Sequence, residues 1–399
     1  MSKHLLSGRL QNMSESATIK MAQKARDLKA QGIDVISLSL GEPDFDTPQH
    51  IKDAAKQALD DGYTKYTPVP GLMELREAIC AKLKRDNGLE YSTSEICVSN
   101  GAKQCIANIC LSLLDEGDEV IIFTPYWVSY FEIVKFSGAK PVTLYAGIDK
   151  DYKVTPDQLE AAIGPKSKLI IFSSPTNPTG SVYSPAELKA LAGVISRHKD
   201  LFVISDEIYE YINFTDNSVS IATFEGMKDK TIIVNGMSKG FAMTGWRLGF
   251  MAGPQWIISA CAKVQGQFTS GASSFGQKAA AYALNADLEP TKSMAREFKK
   301  RKQLVKELLE DIDGIKTNDP DGAFYFFPEI SSFFGRSNGS RTIEDANEFV
   351  DVLLDEANVA VVTGEAFGDP NSFRISYATS EDILKEALKR MKNVLSTYK

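Results

Sequence analysis

Residues 169–206 read LIIFSSPTNPTGSVYSPAELKALAGVISRHKDLFVISD. Two apolar runs, at 169–172 and 202–205, stand either side of a polar loop and a helical pattern at 185–198. Neither run alternates with polar residues, which is how a strand reads when both its faces are covered. The unit therefore predicts strand, helix and strand in a mainly parallel sheet with helices on both faces. Working outward, the same alternation predicts strands at 96–99, 119–123, 141–145, 231–234 and 248–252. Helices fit at 101–114, 127–137, 156–162 and 254–268. The fold class is α/β, with a mainly parallel seven-stranded sheet in the larger of two domains.

Upstream, residues 17–31 read as a helix running into Gly32, and a short apolar run at 35–40 is broken by Gly41-Glu42-Pro43-Asp44. Further helices are expected at 48–61, with Thr47 as N-cap and Pro48 in the first turn, and at 71–87, stopping near Asn87-Gly88. From about residue 290 the character changes. A charged helix at 291–312 is followed by residues 322–327, a glycine- and serine-rich loop, another helix and an apolar run at 359–362. This reads as a smaller α+β domain. The expected division is an N-terminal segment 1–46 joining the small domain, a large domain 47–288 and a small domain 289–399.

Length and composition agree with two ordinary globular domains: 399 residues, 43% hydrophobic, 24% charged. A net charge of −7 argues against nucleic acid, whose phosphates need a basic face. No apolar run reaches membrane-spanning length, and the first 16 residues lack an apolar signal core, so no membrane is expected and a cytoplasmic protein is. The five cysteines form no C-x-x-C pair, which leaves buried free thiols as the plain reading. The three histidines, His4, His50 and His198, are too scattered for a metal site or a hydrolytic triad. An enzyme with so few histidines points to lysine chemistry or a cofactor.

Ligands in open parallel sheets bind at the carboxyl ends of the strands. Several polar clusters fall there: Asn100-Gly101-Ala102-Lys103, residues 173–180, Ser205-Asp206-Glu207 and residues 235–240. Lys239 lies among small residues just after a strand, with Arg247 eight residues on, where it could hold a phosphate. A lysine becomes nucleophilic only when burial lowers its pKa; otherwise it is an ordinary surface cation. Asp206, at a strand end among apolar neighbours, needs a cation such as a pyridinium nitrogen, or else serves as a helix N-cap. Two prolines and a glycine would aim the Asn177 amide, or simply shape a turn. Gly101 and Ala102 open a helix whose free N–H groups can cradle phosphate. Arg374, in an apolar strand, calls for an anion, from a substrate or from a structural partner. Trp127 offers a plate for a ring or a piece of core.

The order of these motifs resembles that of the class I, fold-type I aminotransferases, and within them the bacterial aspartate aminotransferase and plant-type prephenate aminotransferase branch. The likeness runs from Ser16-Ala17-Thr18 through Gly41-Glu42-Pro43-Asp44-Phe45-Asp46-Thr47-Pro48 to Arg374. It is carried by Asn177-Pro178-Thr179-Gly180, Asp206-Glu207-Ile208-Tyr209, residues 238–247 and Phe373-Arg374-Ile375-Ser376. The resemblance implies pyridoxal 5'-phosphate as cofactor and ping-pong transfer of an amino group through a Lys239 internal aldimine. By that resemblance Asp206 pairs with the pyridine nitrogen, Asn177 and Tyr209 bond the phenolic oxygen, and Trp127 stacks on the ring. Gly101, Ala102, Ser238 and Arg247 surround the phosphate, and Tyr66 reaches the phosphate of a neighbouring subunit in a homodimer with shared sites. Arg374 holds the substrate α-carboxylate with help from Gly41 and Asn177. Lys103 matches the lysine that takes the distal carboxylate in this branch. Thr18 resembles a threonine associated with acidic substrates and prephenate; as a bare residue it is also a helix start.

The function implied is aspartate aminotransferase, exchanging the amino group of L-aspartate or L-glutamate with oxaloacetate or 2-oxoglutarate, with prephenate as a further substrate. Within the same fold, lyases and transaminases of aromatic or neutral amino acids share most of these residues. A ligand-sensing regulator would need a basic DNA-binding module, and Gly41-Glu42-Pro43 begins too early to leave room for one.

Overall fold

The computed structural model describes residues 5–215 and 219–399, so His4 lies outside the described residues. Its main feature is a seven-stranded sheet, in spatial order Ile96–Ser99, Gly249–Ala252, Thr231–Gly236, Phe202–Asp206, Ser167–Ser173, Glu119–Thr124 and Lys140–Tyr145. Each of the seven strands falls where the apolar runs put it. Neighbours pair in parallel except Gly249–Ala252, which runs antiparallel to both of its partners.

Alternation along the strands decides which helix each face receives. In Thr231–Gly236, Ile232 and Val234 pack with Ile106, Ile257 and Cys261, from the helices Ala102–Leu113 and Gln255–Phe268. Ile233 points the other way, to Ile79 and Ala280 of the helices Met73–Asn87 and Ser274–Asn285. The crossover helix Pro185–Ile195 starts at a reciprocal cap: Ser184 Oγ accepts from the Glu187 N–H, and Glu187 Oε2 accepts from the Ser184 N–H. Such a start contributes about 1 kcal/mol.

Gln49–Asp60 begins one residue later than expected and its cap is Pro48. Thr47 does not cap it. Its hydroxyl donates to the Ala242 carbonyl at 2.7 Å and accepts from Trp246 Nε1 at 3.1 Å, so it ties the helix start to the loop after Lys239. The helices Ser274–Asn285 and Glu381–Leu395 were not anticipated.

The C-terminal part holds a three-stranded antiparallel sheet, Val362–Thr363, Phe373–Ser376 and Tyr325–Phe326. The helices Glu289–Glu310, Ala346–Asp355 and Glu381–Leu395 cover it through Phe298, Val305, Phe349, Leu353, Leu384 and Leu388. Ile36–Ser37 pairs in parallel with Val359–Ala360, which fastens the N-terminal segment to this part. Among the described residues, no helix is long and apolar enough to cross a membrane.

Candidate active site

A cavity of about 400 Å³ opens at the carboxyl ends of the parallel strands. Register puts its polar groups side by side: Ser173 pairs with Asp206, and Asp206 with Val234. Of the residues singled out from sequence, Thr18, Gly41, Ala102, Lys103, Trp127, Asn177, Asp206, Tyr209, Ser238, Lys239, Arg247 and Arg374 line it. Gly101 sits directly behind Arg247. Tyr66 does not come to the cavity: it is 99% exposed on the surface. Neither His50 nor His198 lines the cavity.

Lys239 follows the strand Thr231–Gly236 on a tight turn, and its Nζ donates to the Gly41 carbonyl. Gly41 is held there because the following residues are pinned: Thr244 Oγ1 donates to Glu42, and Arg301 pairs with Asp44 at 2.7 Å. Burial brings the Lys239 pKa down to about 8; the charges of Arg374 and Arg247 add to that, while Glu42 and Asp206 oppose it. At pH 7 roughly a tenth of the amine is then neutral, about 300-fold more than for a solvated lysine.

Asp206 is buried, and burial raises its carboxyl to about 6. Two donors restrain the rise: Tyr130 Oη to Oδ2 at 2.5 Å and the Ile208 N–H to Oδ1 at 3.2 Å. The second bond is a turn rather than a helix N-cap. The Tyr209 hydroxyl bonds the Tyr325 hydroxyl at 2.7 Å, both buried, and Lys239 Nζ stands 5.7 Å from the Tyr209 ring centre.

Arg374 is 1% exposed and enters from Phe373–Ser376. Its Nη1 donates to Asn177 Oδ1 at 3.0 Å and its Nη2 to the Ser39 carbonyl, while Nε has no partner among the described residues. Its acceptors are therefore neutral. Burial lowers its pKa, against the pull of Tyr325 and Tyr209. Its plane lies over Tyr325, 4.7 Å from the ring centre.

At the other side the helix Ala102–Leu113 begins at Gly101 with no side-chain cap, and the Arg247 guanidinium lies against Gly101. Two glycines allow this approach. A Cβ on Gly101 (φ +84°) would lie 2.4 Å from Arg247 Nη2, and one on Gly249 would lie 2.3 Å from the Ala102 nitrogen. Arg247 itself donates to carbonyls, of Thr244 at 2.9 Å and Asn100 at 3.5 Å. Lys103 Nζ stands 4.9 Å from the Trp127 ring centre, and burial, with Arg247, lowers its pKa.

Sequence reasoning missed Tyr130, Tyr325 and Ser39. Tyr130 lies three residues after Trp127, in the first turn of the helix Ser129–Ser137, and the two rings meet edge-on with centres 5.5 Å apart. Tyr325 is the one hydroxyl in Phe324-Tyr325-Phe326-Phe327, a sign that it has a partner to meet. Ser39 acts through its carbonyl and leaves no trace in side-chain type.

The cavity thus collects Lys103, Arg247, Arg374 and the amine of Lys239 around one buried carboxylate, with a helix N-terminus beside Arg247. Such a set fits an anion carrying a ring cation. Pyridoxal phosphate has that form: a phosphate for the helix end and Arg247, an aldehyde for Lys239 and a ring nitrogen for Asp206. Among the described residues no cluster of His, Cys, Asp or Glu could hold a metal ion.

Comparison with known proteins gives the same answer. The family model for aminotransferase class I and II matches residues 33–391. An aspartate/prephenate aminotransferase of Cereibacter sphaeroides is 46% identical over 97% of each chain. A bifunctional aspartate aminotransferase and glutamate/aspartate-prephenate aminotransferase of Petunia hybrida is 46% identical, over 99% of this chain and 83% of that one. Among solved structures, the aspartate aminotransferase of Rhizobium meliloti superposes with a TM-score of 0.96 at 42% identity, covering 99% of both chains. That of Thermus thermophilus with maleate gives 0.92 at 40% identity, covering 98% of this chain and 99% of the other. This chain belongs to the class I and II aminotransferases, enzymes that work with pyridoxal phosphate.

Proposed function

We propose that the enzyme is an aspartate aminotransferase, moving an amino group reversibly between L-aspartate or L-glutamate and oxaloacetate or 2-oxoglutarate, with prephenate as a further acceptor. One observation carries the reading: a single cavity holds a buried arginine with only neutral acceptors, Arg374, and a second cation, Lys103, with a depressed-pKa amine, Lys239. Two cations suit the two carboxylates of an acidic substrate. The Thermus relative was solved with maleate, itself a dicarboxylate, and relatives named for aspartate and prephenate span nearly the whole chain.

When bound, pyridoxal phosphate supplies a ring that accepts the electron pair left as the substrate Cα proton departs. The chain does the rest. Asp206 would hold the ring nitrogen, and its buried carboxylate would favour the protonated form of that nitrogen. Freed Lys239 Nζ would take the proton from the substrate Cα and pass it, within the same half of the cycle, to the cofactor carbon that bore the aldehyde, which leaves the amine neutral again; the second half would run the transfer backwards. Asn177 and Tyr209, the latter steadied by Tyr325, would donate to the ring oxygen, and Trp127 would stack on the ring. Gly101, Ala102, Ser238 and Arg247 would hold the phosphate. Arg374, with Asn177 and the backbone at Gly41, orients the α-carboxylate, and Lys103 with Thr18 receives the far one. The exposed Tyr66 completes the phosphate site of a second copy in a cytoplasmic homodimer. The limits 1–46, 47–288 and 289–399 for N-terminal segment, large domain and small domain belong to the same reading.

The test is the visible spectrum of the purified protein with L-aspartate, then with oxaloacetate or prephenate. A band lost with aspartate and restored by the oxo acid is expected, and the restoring acid identifies the acceptor. A protein without a band after addition of pyridoxal phosphate would overturn the assignment of Lys239.

A further inference from the structure

The turn after the strand Phe202–Asp206 has two sides. Asp206 and Tyr209 face the cavity, while Tyr211 stands outside it. The Tyr211 ring lies directly behind Gly240, the residue after Lys239. A Cβ built on Gly240 would be 2.7 Å from Tyr211 Cδ2 and 2.9 Å from Tyr211 Cβ. The same ring meets Phe241 edge-on, with centres 5.4 Å apart.

This ring is anchored. Its hydroxyl donates to Asp86 Oδ2 at 2.6 Å, and Arg85 grips Asp86 through Nε at 2.6 Å and Nη2 at 2.9 Å. Arg85 also donates to the Leu284 carbonyl at 2.8 Å, fixing it to the neighbouring helix. Lys82 Nζ sits 5.5 Å from the Tyr211 ring centre and pairs with Glu210. None of these charged groups lines the cavity, and none has a part in the chemistry above.

We infer that Tyr211 is a positioning residue for Lys239, and that the charged cluster behind it exists to hold its ring still. The inference rests on the reading of Lys239 as the reacting amine. The turn that presents Lys239 is closed by long bonds, Ala242 N–H to Lys239 O at 3.3 Å and Met243 N–H to Ser238 O at 3.2 Å. Gly240 adds backbone freedom to that turn. The missing side chain lets an external stop press on the backbone itself, one residue from the reacting lysine. A shift of about 1 Å at a reacting group can cost ~100-fold in rate.

The test compares holoenzyme variants Tyr211→Phe, Tyr211→Ala, Gly240→Ala and the Tyr211→Ala/Gly240→Ala double. For each, the pH midpoint of the visible band is titrated, and kcat and KM for L-aspartate are measured separately. Tyr211→Phe keeps the ring but loses the hydroxyl that Asp86 anchors, and is expected to fall between wild type and Tyr211→Ala in both midpoint and kcat. Tyr211→Ala and Gly240→Ala are expected to shift the midpoint by about half a pH unit or more and to lower kcat ~10- to 100-fold with little change in KM. The double variant loses no more than the worse single, because both act through one contact. Losses that multiply in the double, or an unchanged midpoint and kcat in Gly240→Ala, overturn the inference. If Tyr211→Ala does not fold, Gly240→Ala beside Tyr211→Phe decides by the same criterion. A wild-type protein with no visible band at all would instead overturn the reading of Lys239.

Discussion

Two groups of buried ionisable side chains flank the same turn, and they are satisfied in opposite ways. Behind it, Lys82 and Glu210, with side chains 1% and 7% exposed, pair with each other, and Lys82 donates to Asn87 at 2.7 Å. Burial there would push Asp86 up, yet hydrogen bonds from Arg85 and Tyr211 and the charge of Lys82 hold it below its ordinary value. In front, burial prevails: Asp206 rises to about 6 and Lys239 falls to about 8. Buried charge is costly unless paired. A cluster that supplies its own partners is structural. One whose acid, amine and arginine form no salt bridge among the described residues, on a common cavity, is waiting for a ligand to bring closer partners.

The largest effect should come from Lys239→Ala. Removing both the covalent anchor and the base should lower transamination of L-aspartate by at least about 10³-fold, while the variant still takes up pyridoxal phosphate. Turnover near wild type would show that the unpaired amine in front is not the reacting one. Behind the turn, Glu210→Gln should instead damage the fold. It leaves Lys82 with Asp86 only as near as 3.9 Å, and breaking a buried pair costs about 3 kcal/mol or more. A lowered thermal midpoint is expected; an unchanged one would mean that the cluster behind is not self-supporting.

The contrast was only half visible in the sequence. The seven strands could be read because strands covered on both faces are unbroken apolar runs, as at 169–172 and 202–205. The reversed direction of Gly249–Ala252 leaves no such mark, since an apolar run reads alike both ways. Ser274–Asn285 was lost because its alanines form no stripe, and it has no side-chain cap. Glu381–Leu395 carried a signal, the Ser380 cap and apolar positions at 384, 388, 391 and 395. In the site, Lys239, Asp206 and Arg374 stand out as charges in apolar settings. Tyr130, Tyr325 and the Ser39 carbonyl are their partners from distant parts of the chain, and only the folded chain brings such partners together. Tyr211 and Asp86 lie 125 residues apart and meet for the same reason.

Asp206→Asn should separate stability from function at one atom. The folded-state pKa of about 6 lies above the ordinary 3.8, so between these values the folded protein binds more protons than the unfolded one. Stability therefore falls as pH rises from about 4 to about 6 and stays lower above, by about 3 kcal/mol at 1.36 kcal/mol per unit. In cofactor-free protein, Asp206→Asn should raise the thermal midpoint at pH 8, with the gain fading toward pH 4. In the presence of pyridoxal phosphate it should impair turnover. A variant destabilised at pH 8 would place Asp206 with the self-satisfied groups behind the turn.

The smallest effect is the most selective. Lys103 lies at the cavity edge with its Nζ over Trp127 and has no part in holding Lys239 or Asp206. Its loss should leave the chemistry intact and weaken only substrates with a second carboxylate. A hydrogen bond to a charged group contributes about 1.5–3 kcal/mol, or roughly 10- to 100-fold. Lys103→Met should lower kcat/KM for L-aspartate and L-glutamate by that factor and leave L-alanine within about threefold. Methionine keeps an apolar stem against Trp127, so a fall for all three substrates would trace to the ring contact rather than the charge. In that outcome Lys103 is packing for Trp127, and the cation for the far carboxylate has to come from elsewhere.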